Sequence, residues 1–265
     1  MEFKEIAYKE KAPVAIITLN RPEKRNVFSI EMIESMIQAL HCALENDDIK
    51  AVVITGAGSA FCAGGDIQEM IRAELRSWGL KKYLWEHLQK IPMLMADTDK
   101  LLVAAVNGPA AGGGFDLALA CDVRTASSSA MFISSYVRLG LAPGFGGCFF
   151  LPRIIGLGQA LEILLSGREV PAEEALRLGL VNQLFPKETL IDDTMSWVSK
   201  IVQWPMPALK VIKRGTYQGL TSDLKTHLDY LSSQDALLSL TEEHLNILDR
   251  LHKNKRCRQR NGRPK

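Results

Sequence analysis

Leu101-Leu102-Val103-Ala104-Ala105-Val106, running directly into Asn107-Gly108-Pro109-Ala110-Ala111-Gly112-Gly113-Gly114-Phe115-Asp116, decides the fold. The first six residues form an unbroken apolar run, the pattern of a strand covered on both faces, and the glycines that follow mark a turn. Upstream, a helical stretch covers roughly Leu80 to Ala96. Before it lies a second continuous apolar run, Ala51-Val52-Val53-Ile54-Thr55, bounded by Asp47-Asp48 and Gly56. Ile30, Ile33, Ile37 and Leu40 recur at helical spacing behind Ser29, a suitable N-cap. Strand, helix, strand, helix is the rhythm of a parallel sheet with right-handed crossovers. At the N-terminus, Phe3 to Lys9 and Val14 to Leu19 read as a hairpin, and RPEKRN (residues 21–26) as a loop.

From about Gly146 onward the pattern turns helical, with segments at Ala160 to Leu165, Ala172 to Leu178, Leu190 to Val202, Ala208 to Leu220 and Leu224 to Leu251. They are punctuated by Pro171, Pro186, Pro205 and Pro207. The expected organisation is an α/β core over residues 1–200 and a helical C-terminal region over 201–265.

With 47% apolar and 23% charged residues in 265, the composition is that of a globular chain. No apolar run is long enough to span a bilayer, and the N-terminus MEFKEIAYKE is charged where a secretory signal is apolar. A cytoplasmic protein without membrane contact is expected. The five cysteines and five histidines show neither a C-x-x-C pair nor metal-ligand spacing, so no metal is expected.

The net charge of +2 conceals an asymmetry. The last sixteen residues hold eight Lys or Arg and no acid, whereas the first 249 carry a net charge of −6. Such a tail can attract the phosphates of a nucleic acid or of a phosphorylated cofactor. No aromatic residue interleaves these cations, so a stacking nucleic-acid surface is not supported, and a solvated terminus is the simpler reading.

Chemistry enters with the glycines. Ser59-Ala60-Phe61-Cys62-Ala63-Gly64-Gly65-Asp66-Ile67 follows the first buried strand and precedes a helical pattern, and the triple-glycine segment repeats the arrangement after the second. A strand-to-helix junction leaves backbone N–H groups unpaired, and glycines let a ligand approach them. Both turns fall at carboxyl ends of parallel strands, where open α/β sheets place their ligands. Neither a nucleotide fingerprint nor a G-x-S-x-G elbow is present. What remains is a pair of backbone donors without a hydroxyl nucleophile, which is the layout of an oxyanion hole.

Five segments in order, ITLNRPEKRN (17–26), ITGAGSAFCAGGDIQEM (54–70), AAVNGPAAGGGFDLALACDVR (104–124), LGLAPGFGG (139–147) and LSGREVPAEEALRLGLVNQLF (165–185), resemble the crotonase, or enoyl-CoA hydratase/isomerase, family. The resemblance implies a crotonase-like spiral ββα core and C-terminal helices that pack across subunits in a homotrimer or hexamer. It implies an acyl-CoA substrate, with coenzyme A as part of that substrate and no separate cofactor. By similarity the oxyanion donors are the N–H groups of Gly65 and Gly113, and coenzyme A lies along Lys24, Arg25, Val27, Ala63, Asp66 and Ile67. Asp66 reads equally well as a helix cap. Asp116, one turn beyond Gly113, matches the position of one of two catalytic glutamates in hydratases, and Asp122 reads as a turn-fixing residue.

The chain departs from the family at the second acid. Seven residues before Pro143, where hydratases have Glu, stands Tyr136, and the residue after that proline, an acid in some isomerases, is Gly144. A phenol with an ordinary pKa of about 10 is a poor base near neutrality but a possible proton donor or water anchor, or simply an aromatic pocket wall. Hydration divides its work between two tuned groups, whereas one carboxylate suffices to shuttle a proton between two carbons. The function read from the sequence is thus an acyl-CoA lyase/isomerase acting through an enolate, an enoyl-CoA hydratase/isomerase of fatty-acid or related catabolism. The alternatives are a CoA-ester decarboxylase or hydrolase of the same fold, or a non-catalytic acyl-CoA- or RNA-binding relative. Residues 72–90, with Trp78, Tyr83 and Trp85, are expected by similarity to line the acyl tunnel.

Overall fold

The computed structural model describes residues 3–66 and 77–261, with side chains as far as residue 253. Two compact units divide the chain, Met1–Lys200 and Ile201–Lys265.

In the first unit, β1 (Ile6–Lys11) and β2 (Val14–Leu19) form the expected antiparallel hairpin. Helix α1 (Ile30–Glu45) starts at Ser29, whose side chain accepts a hydrogen bond from the Met32 amide. Its buried face is Met32, Ile33, Met36, Ala39, Leu40 and Ala43, rotated from the expected stripe so that Ile30 is exposed. Strand β3 (Ala51–Gly56) and strand β4 (Leu101–Val106) join β2 in parallel, and both are almost wholly buried. Between them the chain passes through α2 (Trp78–Tyr83), a single π-helical turn (Leu84–Leu88) and α3 (Lys90–Asp97).

After β4 come β5 (Ala110–Ala111), the triple-glycine helix α4 (Gly113–Ala120), β6 (Val123–Ser127), β7 (Met131–Ile133) and a 3-10 turn (Ser135–Leu139). Helices α5 (Gly147–Ile155) and α6 (Leu157–Ser166) follow, then β8 (Glu169–Pro171), α7 (Ala172–Arg177), β9 (Gln183–Phe185) and α8 (Leu190–Val202). The main sheet has the order β1-β2-β3-β4-β6-β9, parallel beyond β2, and β5-β7-β8 make a small second sheet. The region after Gly146 is therefore not purely helical, because β8 and β9 return there to sheet edges. Three-residue strands containing Pro171 or flanked by Pro186 carry too little alternation to announce themselves.

In the second unit, α9 (Met206–Gly219), α10 (Leu224–Leu238) and α11 (Glu242–Asn261) form a helical region. Asp223 caps α10 by accepting from the Thr226 amide. No helix among the described residues is long and apolar enough to cross a membrane.

Buried polar side chains fix the ends of the elements around the glycine turns. Lys100 Nζ donates to the Ala43 and Asn46 carbonyls, closing the end of α1. Arg124 does the same for α4, donating to the carbonyls of Ala118 (3.2 Å), Cys121 (2.6 Å) and Leu180 (2.7 Å). Asp122 accepts from the Leu102 amide and so ties the exit of α4 to the start of β4.

Gly114 packs so closely on the preceding turn that a Cβ there would overlap the Cys62 carbonyl. Backbone cannot yield as a flexible side chain can. Gly114→Ala should lower stability by about 1–3 kcal/mol, seen as a lower urea midpoint with unchanged slope. An unaltered midpoint would show that the two turns are not in rigid contact.

Candidate active site

Parallel pairing of β2, β3 and β4 sets Leu19 beside Gly56 and Thr55 beside Ala105, so the segments that leave these strands emerge side by side. Two asparagines then stitch them together. Asn26 is fully buried with a left-handed φ of 56°, a conformation Asn tolerates. Its Nδ2 donates to the carbonyls of Ala57 (2.9 Å) and Ala60 (2.9 Å), and its Oδ1 accepts from the Arg21 amide. Asn107 Oδ1 accepts from the Gly56 amide, and its Nδ2 donates to Gly58 and Ala60. The sequence reading gave neither residue a role, although an Asn beside a glycine-rich turn is a recognisable signal.

The two glycine turns meet in backbone contact. The Ala111 amide donates to the Cys62 carbonyl at 2.9 Å, and the Phe61 amide to the Pro109 carbonyl at 3.0 Å. Gly64 has φ +94°, and a Cβ on it would stand 2.8 Å from the Ala111 oxygen and 3.1 Å from the Gly113 nitrogen. Gly65 and Gly113 both line one cavity of about 110 Å³, and neither N–H has a hydrogen-bond acceptor among the described residues. Gly113 is the first residue of α4, so the positive end of that helix adds to its donor.

The RPEKRN loop is brought against the first turn as well, through the Ala63 amide donating to the Arg25 carbonyl and the Phe28 amide to the Gly64 carbonyl. Lys24 thereby comes within 3.9 Å of Asp66, Arg25 is bonded to Ala63, and Val27 immediately precedes the Phe28 that is bonded to Gly64. Ile67 lies outside the described residues, as do residues 72–76 of the expected tunnel wall and the side chains of the tail beyond residue 253.

Most of the remaining cavity wall is apolar, with Leu80, Tyr83, Leu84, Leu88, Leu139, Leu141 and Phe145, and Ser135 adds a hydroxyl next to Gly112. Tyr83 is thus where the sequence reading put it. Trp78 (76% exposed) and Trp85 (56% exposed) instead face solvent, with Lys81 stacked over the Trp85 ring. Every third or fourth residue points the same way on a helix, and the inward set here starts from Leu80. The Gln89 side chain donates to the Gly144 carbonyl at 2.6 Å and clamps the Pro143-Gly144 turn to this wall.

Tyr136 also lines the cavity, and its hydroxyl donates to Asp116 Oδ2 at 2.9 Å. Asp116 is only 1% exposed and sits behind it. Burial pushes the Asp116 carboxyl up to about 7, although the Tyr136 hydroxyl and the nearby Gly147 and Phe145 amides offset part of the effect. Those amides fall short of good hydrogen-bond geometry, which leaves Asp116 Oδ1 without a partner among the described residues. Burial and the Asp116 charge hold the Tyr136 phenol well above its ordinary value. Burial also raises the Cys62 thiol to about 12, which rules it out as a thiolate nucleophile at neutral pH. Among the described residues no acid lines the cavity itself, Asp116 reaching it only through the Tyr136 hydroxyl, and no cluster of His, Cys, Asp or Glu suited to a metal occurs.

Residues 9–246 match the family model described as enoyl-CoA hydratase/isomerase. The chain belongs to the enoyl-CoA hydratase/isomerase family. It is 35% identical over 238 residues to the short-chain-enoyl-CoA hydratase of Clostridium acetobutylicum, covering 88% of each chain. The crystal structure of an enoyl-CoA hydratase from Bacillus anthracis superposes with a TM-score of 0.89 at 30% identity, over 95% of this chain and 97% of that one. A monofunctional enoyl-CoA isomerase from M. smegmatis superposes with a TM-score of 0.72 at 31% identity, over 85% and 98%. The fold is accordingly that of the crotonases, and the chain is an enzyme of the enoyl-CoA hydratase/isomerase class.

The raised Asp116 carboxyl has a thermodynamic signature. A carboxyl whose folded pKa exceeds its unfolded value favours folding when protonated, so its contribution is complete below about pH 4 and is lost as pH rises through about 7. Asp116→Asn removes the buried charge. Its stability relative to the wild type should increase between pH 5 and pH 8 by about 2.7 kcal/mol in denaturant titrations. The same difference at both pH values would show that Asp116 is ionised at no unusual cost.

Proposed function

We propose that the protein moves the double bond of short enoyl-CoA thioesters through an enolate held by the Gly65 and Gly113 amides, with Asp116 and Tyr136 as its proton-transfer groups. The observation that carries this reading is the pairing of the Asp116 carboxyl, raised to about 7 and the one acid next to the cavity among the described residues, with a phenol where a second acid would be needed for hydration. One group poised near neutrality can take a proton from one carbon and return it to another. The two amides stabilise the thioester oxyanion, each worth about 2.7–4 kcal/mol in comparable sites. Lys24, Arg25, Val27, Ala63, Asp66 and Ile67 hold coenzyme A in this reading, supported by the ladder that draws the RPEKRN loop onto the glycine turn. A cavity of about 110 Å³ suits a short acyl chain, since one of about 150 Å³ accommodates benzene. The homotrimer or hexamer is supported by exposed apolar side chains along the C-terminal helices, among them Ile212, Leu224 and Leu237.

Hydration is the second reading, favoured by relatives whose names are hydratases. The two are separated by assaying the same preparation with a 3-enoyl-CoA, for migration of its double bond, and with crotonyl-CoA, for hydration. Isomerisation should dominate, and kcat/KM for it should rise with pH through about 7 as the Asp116 carboxyl ionises. Asp116→Asn should lower kcat about 10² to 10⁴-fold while thioester binding persists. Gly113→Val, whose Cβ would stand 3.3 Å from the Phe28 ring and whose methyls would enter the cavity, should abolish turnover. Hydration of crotonyl-CoA faster than isomerisation would replace the first reading with the second.

A further inference from the structure

Asp116 and Tyr136 do not stand side by side facing the cavity. Tyr136 is on the wall with Gly65, Gly112 and Gly113, while Asp116 is absent from that wall and 1% exposed. The carboxylate is enclosed on both oxygens. Oδ2 is covered by the Tyr136 hydroxyl at 2.9 Å, and Oδ1 points toward Gly147, where an added Cβ would lie 2.5 Å from it and 2.9 Å from Pro143 Cβ. The phenol ring stands near the mouth of the oxyanion hole, with Cζ 4.0 Å from where a Cβ on Gly112 would be. A carbon next to a thioester bound at the Gly113 amide therefore meets the phenol oxygen before it can meet the carboxylate.

We propose that Tyr136 is the group that exchanges the proton with the acyl chain, and that Asp116 acts only through it, as a proton store behind the cavity wall. This rests on the enolate reading of the site. In the forward step the phenol oxygen takes the proton from the carbon next to the thioester, and the C–H electron pair becomes the enolate. In the same step the phenol passes its own proton to Asp116 Oδ2. The enolate then collapses by taking a proton from the phenol onto the far carbon, and Asp116 returns the stored proton to the phenol oxygen. One proton leaves the substrate and one returns, and neither oxidant nor water is consumed.

The electrostatics agree with these roles. A carboxyl raised to about 7 accepts and gives back a proton at neutral pH, and the phenol, held well above its ordinary value, is never lost as a free phenolate. Among the described residues, Cys62 and Cys148 are the other titratable groups that influence the pair, and both are pushed upward and stay protonated thiols.

The test uses the full chain with a 3-enoyl-CoA. Tyr136→Phe keeps the ring and removes the relay oxygen. It should lower kcat by the same 10² to 10⁴-fold as Asp116→Asn, with KM within a few-fold and the double variant no slower than either single one. Wild-type proton abstraction should also show a normal solvent isotope effect, since the phenol proton exchanges with solvent whereas the substrate C–H does not; this measurement stands even if a variant fails to fold. Tyr136→Phe retaining activity within ten-fold while Asp116→Asn loses it, or a solvent isotope effect of unity, would overturn the relay and leave the enolate reading intact. A wild type that binds but never turns over an enoyl thioester would overturn both.

Discussion

Everything at the site depends on one backbone contact, in which the turn after β3 and the turn after β4 touch with no side chain between them. The Ala111 amide reaching the Cys62 carbonyl and the Phe61 amide reaching the Pro109 carbonyl are the visible bonds, but the constraint is steric: at Gly64 and Gly114 a methyl group has nowhere to go. That closeness is what brings the amides of Gly65 and Gly113 to one cavity. Neither amide can be used by the fold, since one begins a helix and the other leaves a strand-like bridge with Phe28. Asn26 and Asn107 hold the arrangement from below by sharing the carbonyl of Ala60. A pair of preorganised donors costs no reorganisation when charge develops, which is where their catalytic value lies in the proposed reaction.

Among the described residues, no charged side chain lines the cavity around those donors. Helix α4 is buried along its whole length, so its one acid, Asp116, is taken out of water by the element that positions it. The consequence is a carboxyl that titrates near neutrality, with Tyr136 as its bonded neighbour. The same burial that destabilises the ionised carboxylate would, in the proposed reaction, make it a usable base, so stability and chemistry would be set here by one interaction. Arg124, bonded to the carbonyls at the far end of α4, fixes the helix that carries both Gly113 and Asp116.

Much of this could be read from the residues. The runs at 51–55 and 101–106 are apolar on both faces because they lie inside the sheet, and the glycine turns behind them announce themselves by composition. Tyr136 at the place of an acid is visible from its distance to Pro143. Less legible were β6 to β9, which are short; β6 holds Arg124 and Thr125, whose burial depends on partners distant in the chain, and β8 ends at Pro171. The outward turn of Trp78 and Trp85 was hidden for a similar reason. Aromatic residues on a short helix give no periodic stripe, and only the packing of Leu80, Leu84 and Leu88 shows which side faces in. That Asp116 stands behind Tyr136 rather than beside it is a matter of three-dimensional packing that sequence spacing does not encode.

The central claim is that the Gly65 and Gly113 amides polarise a thioester carbonyl. It is tested most directly by infrared difference spectroscopy of crotonyl-CoA labelled with carbon-13 at its thioester carbon, bound to the wild type and to Gly113→Val. The account predicts a carbonyl stretch shifted to lower frequency in the wild-type complex and returned toward its solution value in the variant. A bound carbonyl whose frequency matches that in water, with the thioester demonstrably in the site, would contradict it.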